Sequence, residues 1–288
     1  MGADQEVPAI PNVRRSYIDA RGVRFHVTEA GEGRPVLALH GWPQHHYVYR
    51  GLLADPPEGL RIIAPDLPGY GWSGAAPHRW AKEDVVSDLL ALMDVMGLAD
   101  DVLLVGHDWG GWIGYRMILR EPRRFRGYLV FNMVHPWAPK GVVARHAWRL
   151  LTYQPLMASV GVPLLRQTRY LEWLFGAYSG MDRETIRVFS ERFRDPVVAR
   201  TATDTYRTFL LKEMPAAVRR PEMRRATVPI RAVFGVEDVA IHYSMAAAET
   251  ARADDYTLEM VEGCGHFIVD ERPKLVRARL IELAAETA

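Results

Sequence analysis

The stretch 103–119 places an acidic residue between two glycines at the end of a predicted buried strand. Its first residues are apolar, and the spacing of apolar residues over 112–119 predicts a helix directly behind them. Gly106 and Gly110 flank Asp108 and permit a turn too tight for residues that carry a Cβ atom. Such a turn presents Asp108 above the sheet edge, as in the nucleophile elbow G-x-S-x-G with aspartate in place of serine. On this stretch alone, an ordinary turn in which Asp108 caps the helix fits equally well.

The chain before residue 137 alternates predicted strands with predicted helices. An antiparallel hairpin is expected over 16–29, where apolar and polar residues alternate. Continuous apolar runs, which are typical of strands buried on both faces, follow at 35–39, 61–66, 103–105 and 125–134. A helix is predicted from about Lys82 to Met96. This alternation predicts an α/β domain built on a mostly parallel sheet with helices on both faces.

The alternation stops at residue 137 and resumes only near residue 229. Between these points the pattern is helical and is interrupted by prolines. We therefore predict that residues 1–136 and 227–288 form one core and that residues 137–226 form a helical cap, called the lid below, inserted between two strands. The lid has 16 Lys and Arg against 8 Asp and Glu, which leaves 20 and 27 elsewhere. A solvated helical surface explains this excess, and a face that steers anions or binds a partner is the alternative.

Composition excludes several classes of protein. With 288 residues and 49% hydrophobic content, the chain can build one large core. Its net charge of +1 indicates no general attraction to nucleic acid or membranes, and its single cysteine excludes an intramolecular disulfide framework. No stretch approaches the length of apolar residues that a transmembrane helix needs, and residues 1–8 lack the features of a signal peptide. We expect a cytoplasmic protein.

Ligands of open α/β sheets bind beyond the carboxyl ends of the strands, so the residues that follow each strand are the candidates for function. Asp108, Asp238 and His266 follow three predicted strands in the chain order nucleophile, acid, histidine. Singly, Asp238 could cap a helix beginning near Ile241, and His266 could be a packed loop histidine. Their occurrence together at three strand ends predicts a catalytic triad.

Four motifs at these strand ends resemble those of the α/β-hydrolase family, specifically its epoxide hydrolases and the related haloalkane and haloacetate dehalogenases. The motifs are His40-Gly41-Trp42-Pro43, Gly69-Tyr70-Gly71-Trp72-Ser73, Gly106-His107-Asp108-Trp109-Gly110-Gly111 and Gly263-Cys264-Gly265-His266. The resemblance covers nearly the whole chain and implies the α/β-hydrolase fold. It also implies a cis peptide bond between Trp42 and Pro43.

An aspartate nucleophile suits attack on a saturated carbon. The Asp108 carboxylate can displace a leaving group and form an alkyl ester on the enzyme. Water activated by His266 can then attack the ester carbonyl, while Asp238 orients His266 and stabilises its protonated form. No G-x-S-x-G sequence occurs in the chain, so esterase or peptidase chemistry is not expected.

The oxyanion that forms on Asp108 needs hydrogen-bond donors. The backbone N–H groups of Trp42 and Trp109 are predicted to supply them, since one follows an earlier strand and the other follows the nucleophile. The other members of the first motif, His40, Gly41 and Pro43, belong to the same predicted binding loop.

The leaving group decides the substrate class. Opening an epoxide expels a strongly basic alkoxide, so an acid must donate a proton as the C–O bond breaks. In this family lid tyrosines serve as acids, and the resemblance assigns the role to Tyr153 and Tyr206, with a helix-packing tyrosine as the alternative for each. A halide needs only hydrogen-bond donors, and the Trp109 indole would suit it. Trp42, however, occupies the position where haloalkane dehalogenases commonly have Asn, and Trp109 the position where haloacetate dehalogenases usually have Arg.

These residues together predict an epoxide hydrolase that converts a small hydrophobic epoxide and water into a vicinal diol. The alternatives are a dehalogenase on the same triad and a hydrolase-fold ligand-binding protein with vestigial activity. We expect no metal, because His45, His46 and His107 make no recognisable ligand set with carboxylates. We also expect no cofactor, since the glycines at 69 and 71 lack the setting of a dinucleotide-binding loop. Neither nucleic acid nor membrane is an expected partner, and a homodimer is left open.

Overall fold

The computed structural model describes residues 6–247 and 251–288, so the first five residues of the N-terminal segment lie outside it. In the described residues, eight strands form a single sheet. Their bounds are β1 (Arg14–Ala20), β2 (Val23–Gly31), β3 (Arg34–Leu39), β4 (Leu60–Pro65), β5 (Val102–His107), β6 (Phe125–Phe131), β7 (Ile230–Gly235) and β8 (Tyr256–Val261).

The strand order across the sheet is β1-β2-β4-β3-β5-β6-β7-β8. The first two pairings, β1 with β2 and β2 with β4, are antiparallel. The remaining pairings, from β4 through to β8, are parallel. The mostly parallel sheet predicted from the apolar runs is therefore confirmed, and so is the hairpin at its edge.

The helices of the core cover both faces of this sheet. They are α1 (Arg50–Ala54), α2 (Lys82–Val95), α3 (Trp109–Arg120), α10 (Ile268–Glu271) and α11 (Pro273–Glu286). The connection from β3 to β4 runs in one direction across the sheet, and that from β4 to β5 runs in the other. Since such crossovers are right-handed, α1 and α2 lie on opposite faces. Accordingly, α2 contacts α3, whereas α1 contacts α11.

The central strand β5 shows why the sheet is buried on both faces. All of its residues are buried, and its sequence Val-Leu-Leu-Val-Gly-His has no alternation of polar and apolar side chains. A strand with this composition is stable only between two layers of helices. The carboxyl end of β5 lies at the edge of the sheet, where α3 begins at Trp109.

The regular elements described between β6 and β7 are all helical. They are α4 (Lys140–Leu151), α5 (Gln154–Gln167), α6 (Tyr170–Tyr178), α7 (Arg183–Arg192), α8 (Pro196–Thr208), a π-helical turn (Phe209–Glu213) and α9 (Met214–Arg219). Asp182 and Asp195 cap the starts of α7 and α8 with side-chain hydrogen bonds. The domain boundaries at 137 and 226 remain a prediction.

None of the helices in the described ranges combines the length and the apolar composition needed to cross a bilayer.

Candidate active site

Asp108 occupies the turn between β5 and α3 with φ +50° and ψ −124°. A non-glycine residue in this region carries a strain of about 1–3 kcal/mol, which the surrounding structure must impose. Two glycines make the close packing around it feasible. A Cβ on Gly110 would lie 2.2 Å from the Leu39 carbonyl oxygen, and a Cβ on Gly41 would lie 2.4 Å from the Cβ of Asp108. The turn at Asp108 and the loop after β3 are therefore in direct contact.

The loop after β3 supplies one of the predicted oxyanion donors. The backbone N–H of Trp42 donates to Asp108 Oδ1 at 2.8 Å, and the peptide bond between Trp42 and Pro43 is cis. The role of the Trp109 backbone N–H stays a prediction. His40 braces this loop, because its Nε2 accepts from the Leu67 N–H at 2.9 Å. Burial lowers the pKa of His40 to about 4, so its ring is neutral.

The structure brings Asp108, Asp238 and His266 together. His266 Nδ1 lies 2.7 Å from Asp238 Oδ2, and His266 Nε2 lies 3.6 Å from Asp108 Oδ2. The other oxygen of Asp238, Oδ1, accepts from the backbone N–H groups of Ala240 at 2.7 Å and Ile241 at 2.9 Å. Asp238 therefore holds the backbone at Ala240 and Ile241 with one oxygen and His266 with the other. No helix begins at Ile241, and the short 3₁₀ helix that follows (Tyr243–Met245) is capped by His242, so the helix-cap interpretation of Asp238 is wrong.

The two carboxylates control the charge of the histidine. Burial alone would lower the pKa of His266, but Asp238 and Asp108 outweigh this effect and raise it to about 10. Burial alone would likewise raise the pKa of Asp238, whereas His266 and its other hydrogen-bond donors hold it below its usual range. At neutral pH the resting site is thus a protonated imidazole between two carboxylates.

The lid brings both predicted tyrosines to the same place. The Tyr153 ring stacks on the Trp42 indole, with centroids 5.8 Å apart and planes at 11°. The Tyr206 ring packs edge-on against Trp42 at 5.3 Å and lies 5.6 Å from the Tyr153 ring. Burial raises the pKa of both hydroxyls, so both are protonated at neutral pH.

The indole N–H of Trp42 is buried and has no hydrogen-bond partner among the described residues. The Tyr206 hydroxyl faces the Trp109 indole N–H and the Tyr153 hydroxyl, without a well-aligned hydrogen bond to either. An unpaired buried donor costs about 1–3 kcal/mol, so a bound molecule that accepts from these groups would be stabilised.

A cavity of about 770 Å³ lies between the core and the lid, within the size range of small-molecule sites. Asp108, Trp109 and Tyr153 line it, together with apolar residues of α4 and α9. Tyr206 is fully buried behind this lining, where its ring contacts Trp109 with centroids 5.9 Å apart.

Sequence reasoning missed Asn132, which hydrogen-bonds to Asp238. Its Nδ2 donates to Asp238 Oδ2 at 2.8 Å, and its Oδ1 accepts from the Gly235 N–H at 3.0 Å. Asn132 directly follows β6 and adopts φ +42°. The rule that functional residues follow strand ends would have identified it.

Lys82, at the start of α2, was also missed. Its ammonium donates to Glu213 Oε2 at 2.6 Å and to the Thr205 carbonyl oxygen at 3.2 Å. It also lies 4.2 Å from the ring centroid of Trp109 and lines the cavity. Burial lowers the pKa of Lys82 to about 8, although Glu213 opposes the shift. No local pattern indicates this role, because the two lid partners are 123 and 131 residues away in the sequence.

A second buried cluster joins His26, His46 and Asp66. Their candidate ligand atoms lie within 4.8 Å of one another, a proximity that the sequence analysis did not anticipate. Nδ1 of His26 and Nδ1 of His46 each donate to one Asp66 oxygen, at 2.8 and 2.9 Å. The same oxygens accept the backbone N–H groups of His46 and Trp72. Hydrogen bonds thus occupy both carboxylate oxygens, and the cluster braces β2 against the loops after β3 and β4.

Two relatives of this chain are named epoxide hydrolases. Human epoxide hydrolase 4 is 27% identical over 274 residues, which cover 88% of this chain and 74% of that protein. The soluble epoxide hydrolase of Corynebacterium sp. (strain C12) is 26% identical over 268 residues, covering 88% of this chain and 91% of that protein.

A crystal structure of an epoxide hydrolase from Vigna radiata superimposes with a TM-score of 0.80 at 22% identity, over 97% of this chain and all of that one. At this identity the likeness establishes the fold. The sequence model of the alpha/beta hydrolase family matches residues 36–279, which include all three residues of the Asp-His-Asp arrangement. This protein belongs to the alpha/beta hydrolase family.

Proposed function

We propose that this protein is an epoxide hydrolase that works through an alkyl ester on Asp108. One observation carries the proposal. Asp108 lines the cavity between core and lid, one of its carboxylate oxygens accepts from the Trp42 N–H, and His266 lies near the other oxygen. The named activities of the two relatives described above support the substrate class.

In the first half of the reaction, an Asp108 oxygen attacks an epoxide carbon and the C–O bond of the ring breaks. The alkoxide takes a proton from Tyr153 or Tyr206. Both hydroxyls are protonated at neutral pH, so each can donate a hydrogen bond before the C–O bond breaks, although the burial that raises their pKa values also makes them weaker acids. Tyr153 lines the cavity, whereas Tyr206 lies behind that lining.

Ester formation changes the charge of the histidine. Because the Asp108 carboxylate is one cause of the raised pKa of His266, converting it to a neutral ester lowers that pKa. The proton released by His266 restores the tyrosine hydroxyl. A neutral His266 can then act as the base, a role that the protonated ring of the resting enzyme cannot perform.

In the second half, His266 takes a proton from water, and the hydroxide attacks the carbonyl carbon of Asp108. Trp42 N–H is placed to stabilise the oxyanion, at 2.8 Å from Oδ1 in the resting site. Collapse of the tetrahedral intermediate releases the diol and returns the Asp108 carboxylate beside a protonated His266.

A single turnover in water labelled with heavy oxygen tests this route. The label should appear in the Asp108 carboxylate and be absent from the first equivalent of diol, as mass spectrometry of the active-site peptide and the product would show. Label in that diol would instead indicate direct attack of water on the epoxide.

A dehalogenase on the same three residues is the second candidate. The indole N–H of Trp42 favours it, because it has no partner among the described residues and could bind a departing halide together with the Trp109 indole. Halide release from haloalkanes and haloacetates, measured beside diol formation from aryl and alkyl epoxides, separates the two candidates.

A further inference from the structure

The mouth of the cavity has an apolar outer surface. Leu151 of α4 and Met214 and Val218 of α9 line the cavity and are also exposed to solvent. Trp148 extends this surface one turn along α4, and Leu211, whose exposed fraction is 76%, extends it along the π-helical turn. Large apolar side chains that are exposed together mark a contact surface more often than they mark ordinary solvent-facing helix.

Cations surround these side chains. Five exposed basic residues of the same segments form no ion pair with any described residue. They are Lys140, Arg145, Lys212, Arg219 and Arg220. The glutamates that line the same cavity, Glu83, Glu213 and Glu222, are already paired with Lys82 or Arg116. Residues 137–171 contain no Asp or Glu at all. The apolar mouth and these five cations are called the rim surface below.

Apolar side chains beside unpaired cations match the boundary of an anionic lipid bilayer. The apolar groups can enter the acyl region while Lys and Arg contact the lipid phosphates. A second copy of the chain fits less well, because a two-fold contact would place the same cations opposite one another. A nucleic acid would leave the five apolar side chains without an apolar partner.

We propose that the rim surface docks this protein on anionic lipid bilayers and that apolar molecules enter the cavity directly from the lipid. Docking of this kind is peripheral and needs no membrane-spanning helix. This proposal departs from the expectation of no membrane partner, which was drawn from the balanced net charge, because that balance does not reveal the separation of charge between lid and core. The delivery of epoxides rests on the proposed function, whereas the lipid contact does not.

The test is co-sedimentation of the full chain with large vesicles of phosphatidylcholine, with and without phosphatidylglycerol. Binding should require phosphatidylglycerol and should weaken as sodium chloride is raised. Arg145→Gln and Lys212→Gln should each weaken it about fivefold, the contribution of one cation at an anionic surface. Neither residue lines the cavity.

Leu211→Glu should nearly abolish vesicle binding, since it places a carboxylate in the apolar part of the rim surface. Val95→Glu is the matched control, because Val95 is 60% exposed at the end of α2 in the core, and it should bind as wild type does. Circular dichroism and thermal melting of both variants check that each is folded.

The Asp108→Asn variant should bind vesicles as tightly as wild type, which separates this proposal from the proposed function. Equal binding to both kinds of vesicle, or no effect of Leu211→Glu, would overturn the lipid proposal even if the enzyme hydrolyses epoxides. A concentration-dependent dimer that Leu211→Glu dissociates, with no vesicle binding, would overturn it in favour of a second copy.

Discussion

The core and the lid hold their functional groups by different means. In the core, Asp108, Asp238 and His266 lie in the loops that follow β5, β7 and β8 and are fixed by hydrogen bonds of 2.7–2.9 Å. In the lid, Tyr153 and Tyr206 are positioned by ring contacts with centroids 5.3–5.8 Å apart. Hydrogen bonds are directional and ring packing is much less so. The core therefore sets the angles of the reacting groups, and the lid sets the shape and wall of the cavity.

This contrast extends to charge. The core carries an excess of acidic residues and the lid an excess of basic ones. At the site, the core provides a histidine and two carboxylates, while the lid provides neutral phenols. Among the hydrogen bonds that cross the boundary, Lys82 of the core donates to Glu213 of the lid, and Arg149 of the lid donates to the Asp238 carbonyl oxygen at 2.8 Å. The difference predicts that core substitutions remove the chemistry, whereas lid substitutions reduce it by degrees.

The largest effect is expected for the nucleophile. Asp108→Asn should lower kcat for epoxide hydrolysis by about 10⁴-fold or more, because the amide cannot form the ester and the core offers no second nucleophile. Steady-state kinetics with a chromogenic epoxide measures it. Substantial remaining turnover would show that a residue other than Asp108 carries the chemistry.

The lid acids should give smaller, graded losses. Tyr153→Phe and Tyr206→Phe should each lower kcat by about 10²-fold, and the double variant by about 10⁴-fold, since each hydroxyl makes an independent contribution to stabilising the leaving oxygen. Tyr178→Phe is the matched control, because this lid tyrosine is exposed and does not line the cavity. Equal losses in all three single variants would point to a general effect on lid packing.

The contact between core and lid should affect stability with a defined pH dependence. The pKa of Lys82 is about 8 in the folded chain against 10.5 for an unperturbed lysine. Between these values the unfolded chain binds more protons, so the free energy of unfolding should rise with pH, by up to about 3 kcal/mol. Urea unfolding from pH 7 to 10 measures the rise, which should be missing in Lys82→Met. An identical pH profile in that variant would show that Lys82 is not desolvated.

The smallest effect is expected for the pKa of His266 in the core. Asp108→Asn should lower the pKa of His266 from its value of about 10, because it removes one of the two carboxylates that raise it. NMR titration of the His266 ring in both proteins measures the shift. An unchanged pKa would remove the reason for His266 to become a base when the ester forms.

Much of the fold was accessible from local patterns. The buried strands β3, β4, β5 and β6 appear as continuous apolar runs, and the predicted helix 82–96 ends within one residue of α2. Asp108, Asp238 and His266 were accessible because strand ends in a parallel sheet meet at one edge. Asn132 obeys the same rule, but its amide side chain does not ionise, so its type alone gives no indication of acid–base chemistry.

Lys82, His46 and the rim surface belong to another category. Lys82 meets Glu213 only because the lid folds back over α2, and His46 meets Asp66 only because β3 and β4 are neighbours in the sheet. The sequence showed that the lid is basic, but which cations are unpaired and which apolar side chains are exposed depends on how the helices pack.

The sequence by itself determined the type of sheet and the residues at its carboxyl edge. Both follow from the apolar pattern of each strand and from the alternation of strands with helices, which are local features of the chain. Only the tertiary structure decided the 3.6 Å approach of His266 to Asp108, the burial that raises the tyrosine pKa values, and the exposed apolar mouth of the cavity. These depend on distances and solvent access between segments that are far apart in the sequence. A local pattern carries no record of such distances.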